Sequence, residues 1–148
     1  MQYTELGMHC AAAFAEELNK APQLKQLGLG GCLLMSCGAN TFADFLKRNT
    51  TLESLDLDCN AILDEGVRSV CEALCHNTTL CVLKIGNNSM TNESVESVAK
   101  LLSLNKTLKG LYVSGTHGFN TAVDSKGTQI IGQVGKQICP CCAQPLLS

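Results

Sequence analysis

The sequence predicts an α/β solenoid: a short curved stack with a parallel sheet inside and a row of helices outside. Three observations carry this. Leucines recur every 28 residues, at Leu24, Leu52, Leu80 and Leu108, and again at Leu27, Leu55, Leu83 and Leu111. The residues around each recurrence alternate apolar and polar, the pattern of a half-buried strand. The second half of each unit spaces its apolar residues as one face of a helix. One such unit cannot bury its apolar face alone, so units must stack and share a core.

Each unit begins LxxLxLxx(N/C/T). The third apolar position holds Leu29, Leu57, Ile85 and Val113, and the last holds Cys32, Asn60, Asn88 and Thr116. A polar side chain after a strand satisfies backbone groups that a tight bend leaves unpaired. In the helical half, Leu34, Ile62 and Met90 correspond, as do Phe42, Val70 and Val98, and Leu46, Leu74 and Leu102. Gly66, Val70, Cys71 and Leu74 share one face, with Glu65, Arg68, Ser69 and Glu72 opposite. The small residues Gly38, Gly66 and Ser94 stand near each helix start. Asn49, Asn77 and Asn105 are expected to close the helices in the left-handed conformation that Asn tolerates. The boundaries that follow are a half repeat at 1–23, repeats at 24–51, 52–79 and 80–107, and the start of another at 108–118. Residues 119–148 break the period and are expected to form a divergent, poorly ordered tail. Both ends lack a polar cap, so self-association through the uncapped solenoid ends is expected.

This pattern resembles the leucine-rich repeat of the ribonuclease-inhibitor type. The same class occurs in the sensor regions of NOD-like receptors, in Ran GTPase-activating protein and in tropomodulin. The resemblance covers residues 1 to about 118 and implies a protein–protein interaction module. It suggests a fragment or relative of a NOD-like receptor, or as the alternative a regulator of a small GTPase. Against the latter, the only arginines, Arg48 and Arg68, fall on the helical side. The third kinship, actin binding of the tropomodulin type, shares the repeat without a recognisable flanking actin-binding segment.

Composition agrees with a binding protein of no special chemistry. The chain has 148 residues, 45 % of them hydrophobic and 4 % aromatic, with a net charge of −2. No basic excess marks a nucleic-acid partner, no apolar run approaches a membrane span, and no cofactor or catalytic motif is present. The ten cysteines fall mostly in repeat-dictated slots, where a reduced Cys packs as a small hydrophobe. Cys139, Cys141 and Cys142 in the tail form one tight group without the second ligand pair of a zinc site, so no metal is expected. Five Asn-x-Ser/Thr acceptors occur at Asn49, Asn77, Asn87, Asn92 and Asn105. Three of them are a single repeat position, read as structural. With no secretory leader, which Glu5 and the missing basic residues argue against, the location expected is cytoplasmic.

Outward residues of the strands should form three lanes on the concave face. The first holds Gln26, Ser54, Val82 and Gly110; the second Gly28, Asp56, Lys84 and Tyr112; the third Gly30, Asp58, Gly86 and Ser114. Charge and an aromatic ring cluster only at Asp56, Asp58, Lys84 and Tyr112, which are therefore the candidate contacts to a protein partner, Tyr being a common interface anchor.

Overall fold

The computed structural model describes residues 8–21 and 23–113. Elements alternate without exception: α1 (Met8–Asn19), β1 (Gln26–Gly28), α2 (Met35–Arg48), β2 (Ser54–Asp56), α3 (Leu63–Leu74), β3 (Val82–Lys84), α4 (Asn92–Leu104) and β4 (Gly110–Tyr112). The strands form one parallel sheet in the order β1-β2-β3-β4. Each lies opposite the residue 28 further along, as Leu27 faces Leu55 and Leu55 faces Leu83. The expected α/β solenoid is what forms. The tail 119–148, with its three cysteines, and the positions Ser114 and Thr116 lie outside the described residues.

The core is the leucine ladder between sheet and helices. Leu55, Leu57, Leu83 and Ile85 meet Ile62, Val70, Leu74 and Val98, all fully buried. Three phenylalanines gather where α1 meets α2. Phe42 and Phe45 of α2 are buried, and Phe42 takes edge-on contacts from Phe14 and Phe45 with centroids 6.2 and 6.3 Å away. Such pairs add attraction beyond their buried area.

The small residues at the helix starts have a steric cause. A Cβ on Gly66 would stand 2.9 Å from the Ala39 Cβ and 3.0 Å from that of Ile62, so any side chain there would force α3 away from α2. The equivalent Ser94 is fully buried, and its hydroxyl donates to the Asp64 carboxylate. Asp64 also accepts from the Thr91 amide at 2.8 Å and the Thr91 hydroxyl at 2.7 Å. Thr91 in turn caps α4 by accepting from the Glu93 amide. The first turns of α3 and α4 are thereby tied together by side chains rather than by close backbone approach.

One expectation fails. Asn49 and Asn105 close their helices in extended backbone, at φ −76°, ψ 131° and φ −77°, ψ 127°, not in the left-handed region. The chain must turn straight into the next strand, which an extended residue allows. The asparagine is required for its side chain instead. The Oδ1 of Asn77 accepts from the Thr79 and Leu80 amides, while its Nδ2 donates to the Leu46 and Asn49 carbonyls of the preceding repeat. Asn105 repeats this with Thr107, Leu108, Leu74 and Asn77. Left-handed backbone occurs elsewhere, in the strand-to-helix loops, at Gly31, Leu33, Met35, Cys59, Ala61, Leu63, Asn87 and Ser89.

Candidate functional site: the concave face

Strand geometry sends Leu27, Leu55, Leu83 and Leu111 into the core and their neighbours onto the open face. The second lane forms as expected: Gly28, Asp56, Lys84 and Tyr112 stand side by side in register. Lys84 Nζ lies 3.3 Å from Asp56 Oδ2, an ion pair with both partners partly solvated. Such a pair contributes about 0–1 kcal/mol. Tyr112 is 54 % exposed.

The third lane is more structural than the sequence suggests. Asp58 Oδ1 accepts the Gly86 amide at 2.6 Å, and Asp56 Oδ1 accepts the Asp58 amide at 3.0 Å. Burial pushes the Asp58 carboxyl above its ordinary value and the charge of Asp56 adds to this, while the Gly86 amide and Lys84 pull the other way. Asp56, Lys84 and Tyr112 thus form one lane with Asp58 beside it in the next, and Asp58 is partly spent on bridging two repeats. The glycines at 28, 30, 86 and 110 leave the surrounding floor flat.

Outside this stripe the polar chemistry is internal. Asn60 is buried and makes five side-chain bonds: Oδ1 accepts from the Cys32 and Leu34 amides, and Nδ2 donates to the Leu29, Leu57 and Asp58 carbonyls. Asn88 does the same one repeat on, accepting from Asn60 and Ile62 and donating to Leu57, Ile85 and Gly86. The acceptor-like motifs at Asn77 and Asn105 are absorbed too, since their Nδ2 atoms, where a glycan would attach, are buried and bonded to carbonyls. Cys32, Cys37, Cys59, Cys71, Cys75 and Cys81 are free thiols. Burial pushes Cys71 up to about 12, so it packs rather than reacts. Among the described residues no group of three or more His, Cys, Asp or Glu could hold a metal, and no helix is long and apolar enough to cross a membrane.

A family model, the TMOD/LMOD leucine-rich domain, matches residues 3–118. The chain belongs to this tropomodulin and leiomodin family. Of the kinships that the 28-residue repeat brings together, the match falls on the tropomodulin branch rather than on NOD-like receptors or Ran GTPase-activating protein. A solved structure of leiomodin-1 actin-binding site 2 superposes with a TM-score of 0.71 at 17 % identity, covering 84 % of this chain and 69 % of that one. The tropomodulin C-terminal domain of Caenorhabditis elegans gives 0.68 at 14 % identity, covering 88 % and 77 %. At such identities the likeness concerns the fold. No curated protein matches the chain.

Proposed function

We propose that this family member is a protein-interaction module whose partner is actin, and that it is a binding protein rather than an enzyme. The observation that carries this is the family match over residues 3–118, together with the leiomodin-1 structure described as an actin-binding site. On this reading the protein works in the cytoplasm, where actin is. The stripe Asp56, Asp58, Lys84 and Tyr112 supplies contacts: an exposed Tyr ring to bury, and charges of both signs to fix orientation. The flat glycine floor around it suits a convex partner surface.

Co-sedimentation with actin filaments tests both parts. The wild type should pellet with filaments. Tyr112→Ala and Lys84→Glu should weaken binding, by about tenfold for the ring if it is a buried anchor. Absence of wild-type pelleting removes the actin reading. Wild-type pelleting with both variants unchanged removes the concave stripe and leaves the partner standing.

A further inference from the structure

A second surface lies on the loops that lead from strand to helix. Leu33, Met35 and Leu63 are exposed by 38, 49 and 47 %, while the residues between them, Leu34 and Ile62, are buried. These loops stack directly: the Met35 amide donates to the Asn60 carbonyl at 3.0 Å, and the Ser36 hydroxyl to the Ile62 carbonyl at 2.9 Å. Leu33 and Met35 therefore stand beside Ala61 and Leu63, one repeat spacing away. The result is an apolar ridge across the loops after β1 and β2.

The fold does not require this ridge. The loop after β3 has the same left-handed bends at its first two positions, Asn87 and Ser89. Yet Ser89 stands there on the same left-handed backbone as Leu33 and Ala61, while Thr91, at the position of Met35 and Leu63, is extended at φ −114° and caps α4. A polar side chain thus fills the first of these slots on unchanged backbone, and in the third loop the second slot is polar on a different one. In two loops of three the sequence instead presents large apolar groups to water, on backbone that costs a non-glycine residue about 1–2 kcal/mol per position. Exposed apolar patches with a polar rim mark interaction surfaces.

The rim identifies the occupant. Residues 29–40, 57–67 and 85–95, which hold these loops and the first turns of α2, α3 and α4, carry Glu65 and Glu93 besides the Asp58 of the concave stripe and the Asp64 that bonds Ser94 and Thr91, and no Lys, Arg or His; Arg68 follows one position beyond on α3. Glu65 and Glu93 are exposed on the first turns of α3 and α4. We propose that this ridge docks an amphipathic segment of a protein partner in which apolar side chains are flanked by Lys or Arg. The apolar groups cover Leu33, Met35 and Leu63, and the cations meet the acidic rim. This surface is distinct from the concave stripe and does not rest on actin as the partner.

The test uses the full chain and two labelled 18-residue helical peptides, one of Leu and Lys and one of Leu and Glu, followed by fluorescence anisotropy. The Leu/Lys peptide should bind, and the Leu/Glu peptide about tenfold more weakly or not at all. A triple variant, Leu33→Ser with Met35→Asn and Leu63→Asn, places at these left-handed positions polar side chains that tolerate them and should melt as the wild type does. It should lose about tenfold in affinity for the Leu/Lys peptide, whereas Lys84→Ala with Tyr112→Ala should leave that affinity unchanged. Should the triple variant unfold, Leu63→Asn alone serves, with a smaller loss in the same direction. Equal binding of both peptides, binding of neither, or full affinity in the folded ridge variant overturns the proposal. So does sedimentation showing that the wild type dimerises and the ridge variant does not, since the occupant is then a second copy of the chain.

Discussion

The two turns of each repeat are both built on asparagine, yet only one kind is uniform. Helix-to-strand turns carry Asn49, Asn77 and Asn105, and each Oδ1 accepts from the amides two and three residues ahead. Strand-to-helix turns carry Cys32, Asn60 and Asn88. The difference follows from where the bonds go. Asn60 and Asn88 reach back to amides of the preceding loop, and among the described residues no loop of this kind precedes Cys32. Cys32 instead makes a weak contact with the Gly30 carbonyl at 3.9 Å. The helix-to-strand asparagine keeps a local task in every repeat, so it stays asparagine throughout. Only its amide nitrogen differs: Asn49 Nδ2 donates to the Thr51 hydroxyl at 3.2 Å, where those of Asn77 and Asn105 reach carbonyls of the preceding repeat.

The sharpest way to break this comparison is at Asn60. Replacement by Asp keeps an acceptor for the Cys32 and Leu34 amides but points a carboxylate oxygen at three carbonyls. The expected loss is about 4 kcal/mol, larger than for Asn60→Ala at about 3 kcal/mol, because repulsion adds to the unmade bonds. Urea denaturation read by circular dichroism distinguishes the two. An Asp variant as stable as the Ala variant would mean that the acceptor bonds it keeps to Cys32 and Leu34 offset the repulsion.

Next in size is the contrast within the uniform turns. Asn77→Ala strips bonds to two repeats and should cost about 3 kcal/mol. Asn49→Ala removes only bonds within its own turn and should cost about 1 kcal/mol. Equal losses would show that the inter-repeat amide bonds of Asn77 are not the source of its importance. Smaller again is Cys32→Ala, expected within about 0.5 kcal/mol of wild type because no strong bond is lost. A loss of the size seen at Asn60 would assign the thiol a packing role beyond its contact with Gly30.

Much of this was legible in the sequence because a solenoid writes its contacts at a fixed separation. Leu55 and Leu83 repeat because they occupy the same point of a translated unit, so register, core and the neighbours Asp56 and Lys84 all follow from the period. What escaped depends on side-chain direction. Asn49 and Asn105 were expected in left-handed backbone because that is how asparagine often ends a helix; the immediate entry into a strand excludes it here. The bond from Asp58 to the Gly86 amide joins positions that the period aligns, but nothing in the letters says which carboxylate turns inward. The knot of Asp64, Thr91 and Ser94 was missed because it occurs once, and a singular contact leaves no trace in a repeat. The apolar loop ridge was visible as letters in "CLLMSC" and "NAILDE". Its exposure was not, since alternate residues of those loops point into the core.

The least of the expected effects separates the two acidic residues that bridge repeats. Burial raises the Asp58 carboxyl above its ordinary value of 3.8 despite the Gly86 amide. Burial also opposes ionisation of Asp64, but there the bonds from Ser94 and Thr91 win and the carboxyl is held below 3.8. The signs then differ. A raised group favours the folded state fully below its unfolded value and loses that contribution as pH rises through the folded one; a lowered group contributes above the unfolded value and loses it as pH falls through the folded one. Melting temperatures measured between about pH 2.5 and 6 should therefore show wild type gaining on Asp58→Asn as the solution is acidified, and losing ground to Asp64→Asn over the same change. Parallel curves for wild type and Asp58→Asn would mean that its carboxyl titrates alike in the folded and unfolded chain. The Gly86 amide and Lys84 would then offset its burial and the charge of Asp56 in full.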